Sequence, residues 1–472
     1  MIKEEIFNLF ANVQIGYLVD SEKVISGDTR LDSSHFIDDV SYPVNSNLGF
    51  TTLSEFIQDV EEPTLFTRIY CDKEFGVPYI SSSEMSEIEP PVDSRFISKT
   101  LTKNIEQYII KRGQILVSAA GTVGSIVVAT EELDGVAGTS DILRINLDQS
   151  KYLGFIYTYL TSSFGANELS NLAYGAIIKR VRGFQLAELK TPIINDSVVG
   201  KMNQMIVTAL ENRDEANRLI KQARSLVLQY NNLPPLSNIK PETLDADGEV
   251  EIRMTGIDEF TQDYRLDAHF YNPMAKLIVE NITKHCLKND KLYNVADCSF
   301  RGSRSTRNYV DKDNGIAFLS GKNIIQIRPD FKYISKSETA NLDDMLLSEG
   351  QILISRSGTL GRTVLIYKNY EGCAASEHLI RVKPDAKIID SGYLYAFLSS
   401  DYGYHQLLRY KHGAVIDEIT EDQISQSVIP LPSDKQQKEI GDLVRKAYEL
   451  RAEAIKLEDE AQELLTQALT QA

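Results

Sequence analysis

The sequence predicts an α+β fold: two tandem copies of one α/β unit, each followed by a long helix. The two helices are expected to pair as an antiparallel coiled coil, giving the chain a pseudo-two-fold. Three observations carry this expectation: a large internal repeat, short β-type runs at matching places in each copy, and two long apolar stripes at helical spacing. They set boundaries at residues 1–195 for the first unit, 196–232 for the first helix and 233–259 for a linker, with 260–435 for the second unit and 436–472 for the second helix.

The repeat has a period near 237 residues. Gly113-Gln-Ile-Leu-Val-Ser-Ala-Ala-Gly-Thr-Val-Gly124 returns as Gly350-Gln-Ile-Leu-Ile-Ser-Arg-Ser-Gly-Thr-Leu-Gly361. Arg30-Leu-Asp-Ser-Ser-His-Phe36 returns as Arg265-Leu-Asp-Ala-His-Phe270, and Asp141-Ile-Leu-Arg-Ile145 as His378-Leu-Ile-Arg-Val382. Leu160-Thr-Ser-Ser-Phe-Gly165 matches Leu398-Ser-Ser-Asp-Tyr-Gly403, Gly175-Ala-Ile-Ile-Lys179 matches Gly413-Ala-Val-Ile-Asp417, and Pro192 matches Pro430. Blocks kept in one order at offsets of 235 to 238 residues are a duplication. The period far exceeds the 20–50 residues of solenoid repeats, so each copy is a domain.

Within a copy, β-branched and aromatic runs bounded by Gly, Pro, Asn and Ser read as strands, as at Val77–Ser81 and Ile316–Leu319. The Gly-Gln-Ile-Leu runs are short strands that end in a Gly-Thr-x-Gly turn and resume as Ile126–Ala129 or Thr363–Tyr367. Helical stretches follow near 151–172 and 390–410. The closing helices place apolar residues at 3–4 spacing, from Val198 to Tyr230 and from Ile440 to Leu465. Stripes this narrow and long suit a coiled-coil seam, and a lone helix could not bury its own. Asn232-Leu-Pro-Pro-Leu236 stops the first helix, and the acidic stretch Glu242–Glu251 reads as a surface loop.

Hydrophobic residues make up 42% of the 472 and charged residues 25%, ordinary for a soluble globular chain. No apolar run reaches the roughly 18 residues of a membrane span. The acidic start MIKEEIFNLF lacks the order of a signal peptide, and four scattered cysteines form no disulfide framework. A cytoplasmic protein with reduced thiols is the expectation. The net charge of −17 is uneven: residues 1–195 carry 16 basic and 26 acidic side chains, whereas residues 260–435 carry 22 of each. Nucleic-acid binding needs a local basic face rather than a basic chain, so this balance lowers that expectation without removing it.

Enzyme signatures are missing. There is no GxxxxGK[ST], no HExxH, no strand-to-helix GxGxxG and no Asn-Pro-Pro-Tyr or Asp-Pro-Pro-Tyr motif. Pro329-Asp330 and Asp385-Ala-Lys387 are similar to fragments of a nuclease site, but such pairs are common and weigh little. The six histidines show no ligand spacing; His35 and His269 share one repeat position and read as packing or hydrogen-bonding residues. The turns Gly121-Thr-Val-Gly124 and Gly358-Thr-Leu-Gly361 are either phosphate cradles or plain hairpin turns. In the second copy Arg356 precedes the turn and Arg362 follows it, where the first copy has no cation. Arg301, Arg304 and Arg307 stand at i, i+3 and i+6 in a Gly/Ser loop, suited to phosphate contacts and base-edge forks or simply to solvent. Lys179, Arg180 and Arg182 form the first copy's dense basic cluster.

The duplicated unit with its long helices, the run Gly350 to Gly361, the Gly413-Ala-Val-Ile segment, Ile429-Pro-Leu-Pro432 and the helix opening Gln436-Gln-Lys-Glu-Ile440 together carry a family likeness. The chain resembles the specificity subunits of type I restriction–modification systems. That resemblance implies two target-recognition domains, each reading half of a split double-stranded DNA site, held apart by the paired helices. It also implies a non-catalytic role with no cofactor of its own. Two methyltransferase subunits carrying S-adenosylmethionine dock on the helices, and restriction/translocase subunits, with ATP and Mg, join them. DNA contact then falls to Arg301, Arg304, Arg307, Arg356, Arg362 and Lys411 in the second domain and to Lys179, Arg180 and Arg182 in the first. The acidic first domain departs from the pattern. Two rivals stand beside this reading: a decoy scaffold that binds methyltransferase subunits but not DNA, and a nuclease acting alone.

Overall fold

The computed structural model describes residues 47–120, 124–147, 150–172, 180–239, 256, 257, 265, 267, 269–299 and 307–471. Of these, residues up to Ser86, Pro90–Thr208 and those from Leu457 onward form one compact unit. Glu87–Glu89 and Ala209–Lys456 form the other.

The first unit contains β1 (Phe50–Thr52), β2 (Asp59–Glu61), β3 (Gly76–Ile80), β4 (Phe96–Ser98), β5 (Ile115–Ser118), β6 (Ile126–Val128), β7 (Ala137–Gly138) and β8 (Ile142–Asn146). Then come α1 (Leu153–Thr161), α2 (Ser163–Leu172), α3 (Gly183–Ala187), β9 (Lys190–Pro192) and the start of α4 (Asp196–Tyr230). Its main sheet has the order β2-β8-β5-β6, beside a β4-β3-β7 sheet and a β1-β9 pair. Every residue of β5 is buried, as its unbroken apolar run demands.

The second unit contains α5 (Pro273–His285), β10 (Asn289–Lys291), α6 (Leu292–Val295), β11 (Ala296–Ser299), β12 (Tyr309–Val310), β13 (Gly315–Leu319), β14 (Lys332–Ser335), α7 (Leu342–Met345) and β15 (Ile352–Ser355). It continues with β16 (Thr363–Leu365), β17 (Ala374–Ala375), β18 (Leu379–Pro384), α8 (Ser391–Leu398), α9 (Asp401–Leu408), α10 (Glu421–Ser425), β19 (Val428–Pro430) and α11 (Asp434–Thr470). The orders are β11-β18-β15-β16, β12-β14-β13-β17 and β10-β19. In its strands this is the first unit's plan, with β12 standing where the first unit has the single bridge Tyr70 to Ile97, so the sequence repeat is a repeat of topology. α5 was not anticipated; Asn272 caps it by accepting from Met274 N–H, and Pro273 sits where no amide partner is needed.

The stretches near 151–172 and 390–410 each resolve into two helices. Ser162 Oγ accepts from Gly165 N–H at 3.1 Å, and Ser400 Oγ accepts from Gly403 N–H at 3.4 Å, so each serine restarts the helix. Gly165 and Gly403 lie so close to the carbonyl oxygens of Tyr159 and Phe397 that a Cβ would clash with them.

The long helices span 35 and 37 residues. Buried positions on α4 run through Val199, Met202, Ile206, Ala209, Ala216, Ile220, Ala223 and Val227, the 3–4 spacing of a coiled-coil seam. On α11 the matching series is Ile440, Val444, Ala447, Ala454, Ala461 and Leu465. In the second unit Arg451 donates to Asn217 Oδ1 at 3.0 Å and Tyr230 OH to Glu439 at 2.8 Å. One sequence number rises as the other falls, so the helices pair antiparallel there. α4 ends at Tyr230, and Asn232 just beyond it has a left-handed φ of 51°, ahead of Pro234-Pro235. Each unit also seats its short helix on a long one through a glycine. A Cβ on Gly154 would meet the backbone of Asn203, and one on Gly392 would lie 2.8 Å from Gly441 Cα.

Candidate nucleic-acid interface

Two stretches far apart in sequence meet in each unit. In the second, β15 and β16 pair with Ile354 opposite Thr363, and the Gly-Thr-x-Gly turn closes the hairpin. Ser355 Oγ donates to Thr359 O inside the turn and accepts from Arg362 N–H at 2.9 Å. Gly358 and Gly361 have φ of 74° and 73°, which glycine adopts without strain. Beside the turn, Ser357 bridges to Glu418, and Ile419 N–H donates to Arg356 O at 3.0 Å. Glu418 is the far end of the segment that begins at His412. In the first unit Ala120 bridges to Arg180, and Val181 N–H donates to Ala119 O at 3.0 Å. In each unit, therefore, the chain just ahead of the turn pairs with the residues that follow the Gly-Ala segment, through the same backbone contacts.

The candidate cations are distributed around this junction, each engaged by a carboxylate of its own unit. Arg356 approaches Glu418 at 3.3 Å, and Lys411 approaches Asp417 at 2.7 Å. Arg307 pairs with Glu377 at 2.5 Å and lies over the Phe318 ring. Burial pushes the Glu377 carboxyl up, but its own backbone amide and the Arg307 guanidinium outweigh that and hold it below the ordinary range. Next to it, His378 Nδ1 lies 2.7 Å from Ser357 Oγ. In the first unit Arg180 approaches Asp141 at 3.4 Å and Arg182 approaches Glu62 at 2.8 Å. Arg362 is different: its guanidinium pairs with Glu87, so the two cations flanking the turn do not converge on one ligand. Arg301, Arg304 and Lys179 lie outside the described residues, as do His35 and the acidic stretch 242–251. His269 hydrogen-bonds Leu408 O at 2.8 Å. Asp330 and Asp385 stand at the ends of strands in different sheets, before β14 and after β18.

Two charged features escaped the sequence reading. Arg144 and Arg381 share one repeat position and are 1% and 3% exposed. Arg144 pairs with Glu61 at 2.8 Å, and Arg381 donates to Ala375 O at 2.9 Å. The shared Ile-Leu-Arg-Ile and Leu-Ile-Arg-Val runs held the clue, a charge inside an apolar strand in both copies. In the second unit, Glu89 takes Arg224 at 2.6 Å and Arg451 at 3.2 Å. Burial raises its pKa, but the two guanidinium charges outweigh burial and bring it down to about 2.

Both copies match the family model of the type I restriction modification DNA specificity domain, at residues 45–229 and 279–462. The chain belongs to that family. Its two specificity domains make it a DNA-recognition chain. It is similar to the type-I restriction-modification system S subunit from M. genitalium, at 15% identity over 90% of this chain and 97% of that one, with a TM-score of 0.35. The HsdS subunit from Thermoanaerobacter tengcongensis is similar at 15% identity over 92% and 99%, with a TM-score of 0.28. The sequence matches no curated protein. Among the described residues, no helix of this specificity-domain chain is long and apolar enough to cross a membrane.

Proposed function

We propose that the chain reads a bipartite double-stranded DNA site for a type I restriction–modification complex, each specificity domain taking one half. The observation that supports two reading heads is the backbone pairing of the residues ahead of the turn with those that follow the Gly-Ala segment, the same in both units. Phosphate contacts from Arg356, Lys411, Arg180 and Arg182, together with Lys179, Arg301 and Arg304, would set register, and base-edge contacts would set sequence. Arg307 and Arg362, held by partly buried carboxylates, support those surfaces and join the DNA only if the pairs open. The long helices dock two methyltransferase subunits, and restriction/translocase subunits complete the assembly. S-adenosylmethionine, ATP and Mg sit on those partners, and this chain acts in the cytoplasm without a cofactor of its own.

Methylation mapping in cells carrying the chain and its methyltransferase subunit tests this reading. A two-part modified motif that disappears when the chain is deleted is the expected result. A motif specified in one half only would mean that the acidic first domain does not read DNA.

One observation favours a second reading. Every candidate cation among the described residues has a carboxylate partner, as a methyltransferase-binding decoy that has lost DNA would tolerate. A stable complex with methyltransferase and no modified motif would establish the decoy.

A further inference from the structure

Gly-Ala followed by two β-branched apolar residues and a charged one occurs in both copies, as Gly175-Ala-Ile-Ile-Lys179 and Gly413-Ala-Val-Ile-Asp417. In the second unit this segment is a hairpin with a closed neck. His412 N–H donates to Glu418 O at 3.0 Å, and Glu418 N–H donates back to His412 O at 2.6 Å. Gly413 turns the chain with a φ of 136°, and a Cβ there would clash with the carbonyl oxygen of Ile416. The turn leaves Val415 95% exposed and Ile416 61% exposed. Single exposed apolar residues are ordinary, but an adjacent pair on a narrow, hydrogen-bonded projection is a feature that folding alone does not reward.

Cations gather at the base of this projection. Arg265 donates to Tyr410 O at 3.1 Å and to Lys411 O at 2.8 Å, and it also pairs with Asp267 at 2.7 Å. Arg409 lies over the Phe270 ring, Lys411 lies beside Asp417, and Arg356 beside Glu418. An apolar tip on a cationic base matches duplex DNA, whose interior is apolar and whose rim is anionic. Two side chains are too little area for a protein partner to hold by burial alone, but they fit the gap between two base pairs, where apolar wedges unstack a step.

We propose that Val415 and Ile416 form a wedge that enters a base step in the half-site read by the second domain, with Lys411 and Arg356 turning to the flanking phosphates. This rests on the DNA-recognition reading above. Such a wedge determines specificity without base hydrogen bonds, because pyrimidine–purine steps unstack more readily than others. The tip also explains why the segment keeps its glycine and its apolar pair in both copies while the neighbouring charges differ.

The test uses the full chain copurified with its methyltransferase subunits, a randomised duplex pool, and the Val415→Ser/Ile416→Ser variant. Both side chains face solvent, so an unchanged thermal melt confirms that the variant folds. The expected result is roughly tenfold or greater loss of affinity for the duplex selected by the wild type, with sequence preference lost in one half-site and kept in the other. A 2-aminopurine placed at the affected step should brighten with the wild type and stay quenched with the variant. Unchanged affinity and preference would overturn the wedge. Loss of methyltransferase binding with the DNA preference intact would assign the tip to a protein partner and overturn it as well. If the wild type selects no motif, the DNA-recognition reading itself falls, and the wedge with it.

Discussion

Arg180 and Glu418 occupy the same place in the two units, each bridging to the turn that follows the central strand, yet they carry opposite charge. Arg180 is answered by Asp141, and Glu418 is answered by Arg356. The duplication has kept the backbone pairing and exchanged the sign of the charge at the bridged position, with its partner drawn from a different place in each unit. Backbone pairing fixes where the surface is; side chains free to change sign fix what it meets. That division is what the proposed reading of two different half-sites would require.

Glu418→Gln removes the charge that holds Arg356 while leaving the Glu418 backbone bridge in place. Arg356 is then released toward phosphate. Binding to a duplex of arbitrary sequence should tighten, and the slope of log affinity against log salt should steepen by about 1. Fluorescence anisotropy across a salt series reads both. Unchanged slope would mean that Arg356 reaches no phosphate.

Arg356→Ala should weaken binding at the second half-site by roughly 1–3 kcal/mol if the guanidinium reads a base edge. A uniform loss across all sequences, with a shallower salt slope, would make it a phosphate contact instead. Competition between the selected duplex and one scrambled in a single half-site separates the two outcomes.

Gly154 and Gly200 make a contrast, the first packed against the long helix α4 and the second within it. Gly154 of α1 lies against the backbone of Asn203 on α4, with Asn203 Oδ1 accepting from Gly154 N–H at 3.0 Å. A Cβ there has nowhere to go, because backbone does not yield as a side-chain tip does. Gly154→Ala should cost about 1–3 kcal/mol of unit stability. Gly200 lies within α4 and faces open space. Gly200→Ala should gain about 0.5–1 kcal/mol from helix propensity. Urea denaturation of both variants checks the two signs; equal effects would mean that the close helix approach at Gly154 is not a constraint.

Much of this architecture was legible before the structure. The repeat displayed the duplicated topology, since identical blocks fold to identical strands, and the 3–4 stripes displayed the paired helices. The central strands Ile115–Ser118 and Ile352–Ser355 lie where their apolar runs placed them. What stayed hidden depends on partners distant in sequence. The carboxylates Glu87 and Glu418 that hold Arg362 and Arg356 lie 275 and 62 positions away, so a basic cluster in sequence could not reveal that its charge was already answered. Arg144 and Arg381 looked like strand residues with an odd charge, and only the fold shows them buried. The seams also bury polar positions that an apolar stripe does not point to: Asn217 and Glu458 are 7% and 3% exposed.

Glu89 yields a prediction in pH. Its carboxylate sits between Arg224 and Arg451, with Tyr395 OH at 3.5 Å, and its pKa falls from the ordinary 4.5 to about 2. A carboxylate whose pKa is depressed by folding contributes stability that is fully present above its unfolded value. The contribution fades as pH falls from about 4.5 toward about 2, where the folded form also takes up its proton. The arginines stay charged throughout this window. Glu89→Gln leaves both without their anion and should cost about 1–3 kcal/mol at pH 7, discounted because the Glu89 side chain is 31% exposed. Denaturant melts from pH 7 down to pH 3 should therefore show the wild type and the variant converging as acid removes what the substitution removed. Parallel curves with a constant gap would mean that Glu89 stabilises the unit through its shape and packing, not through its charge.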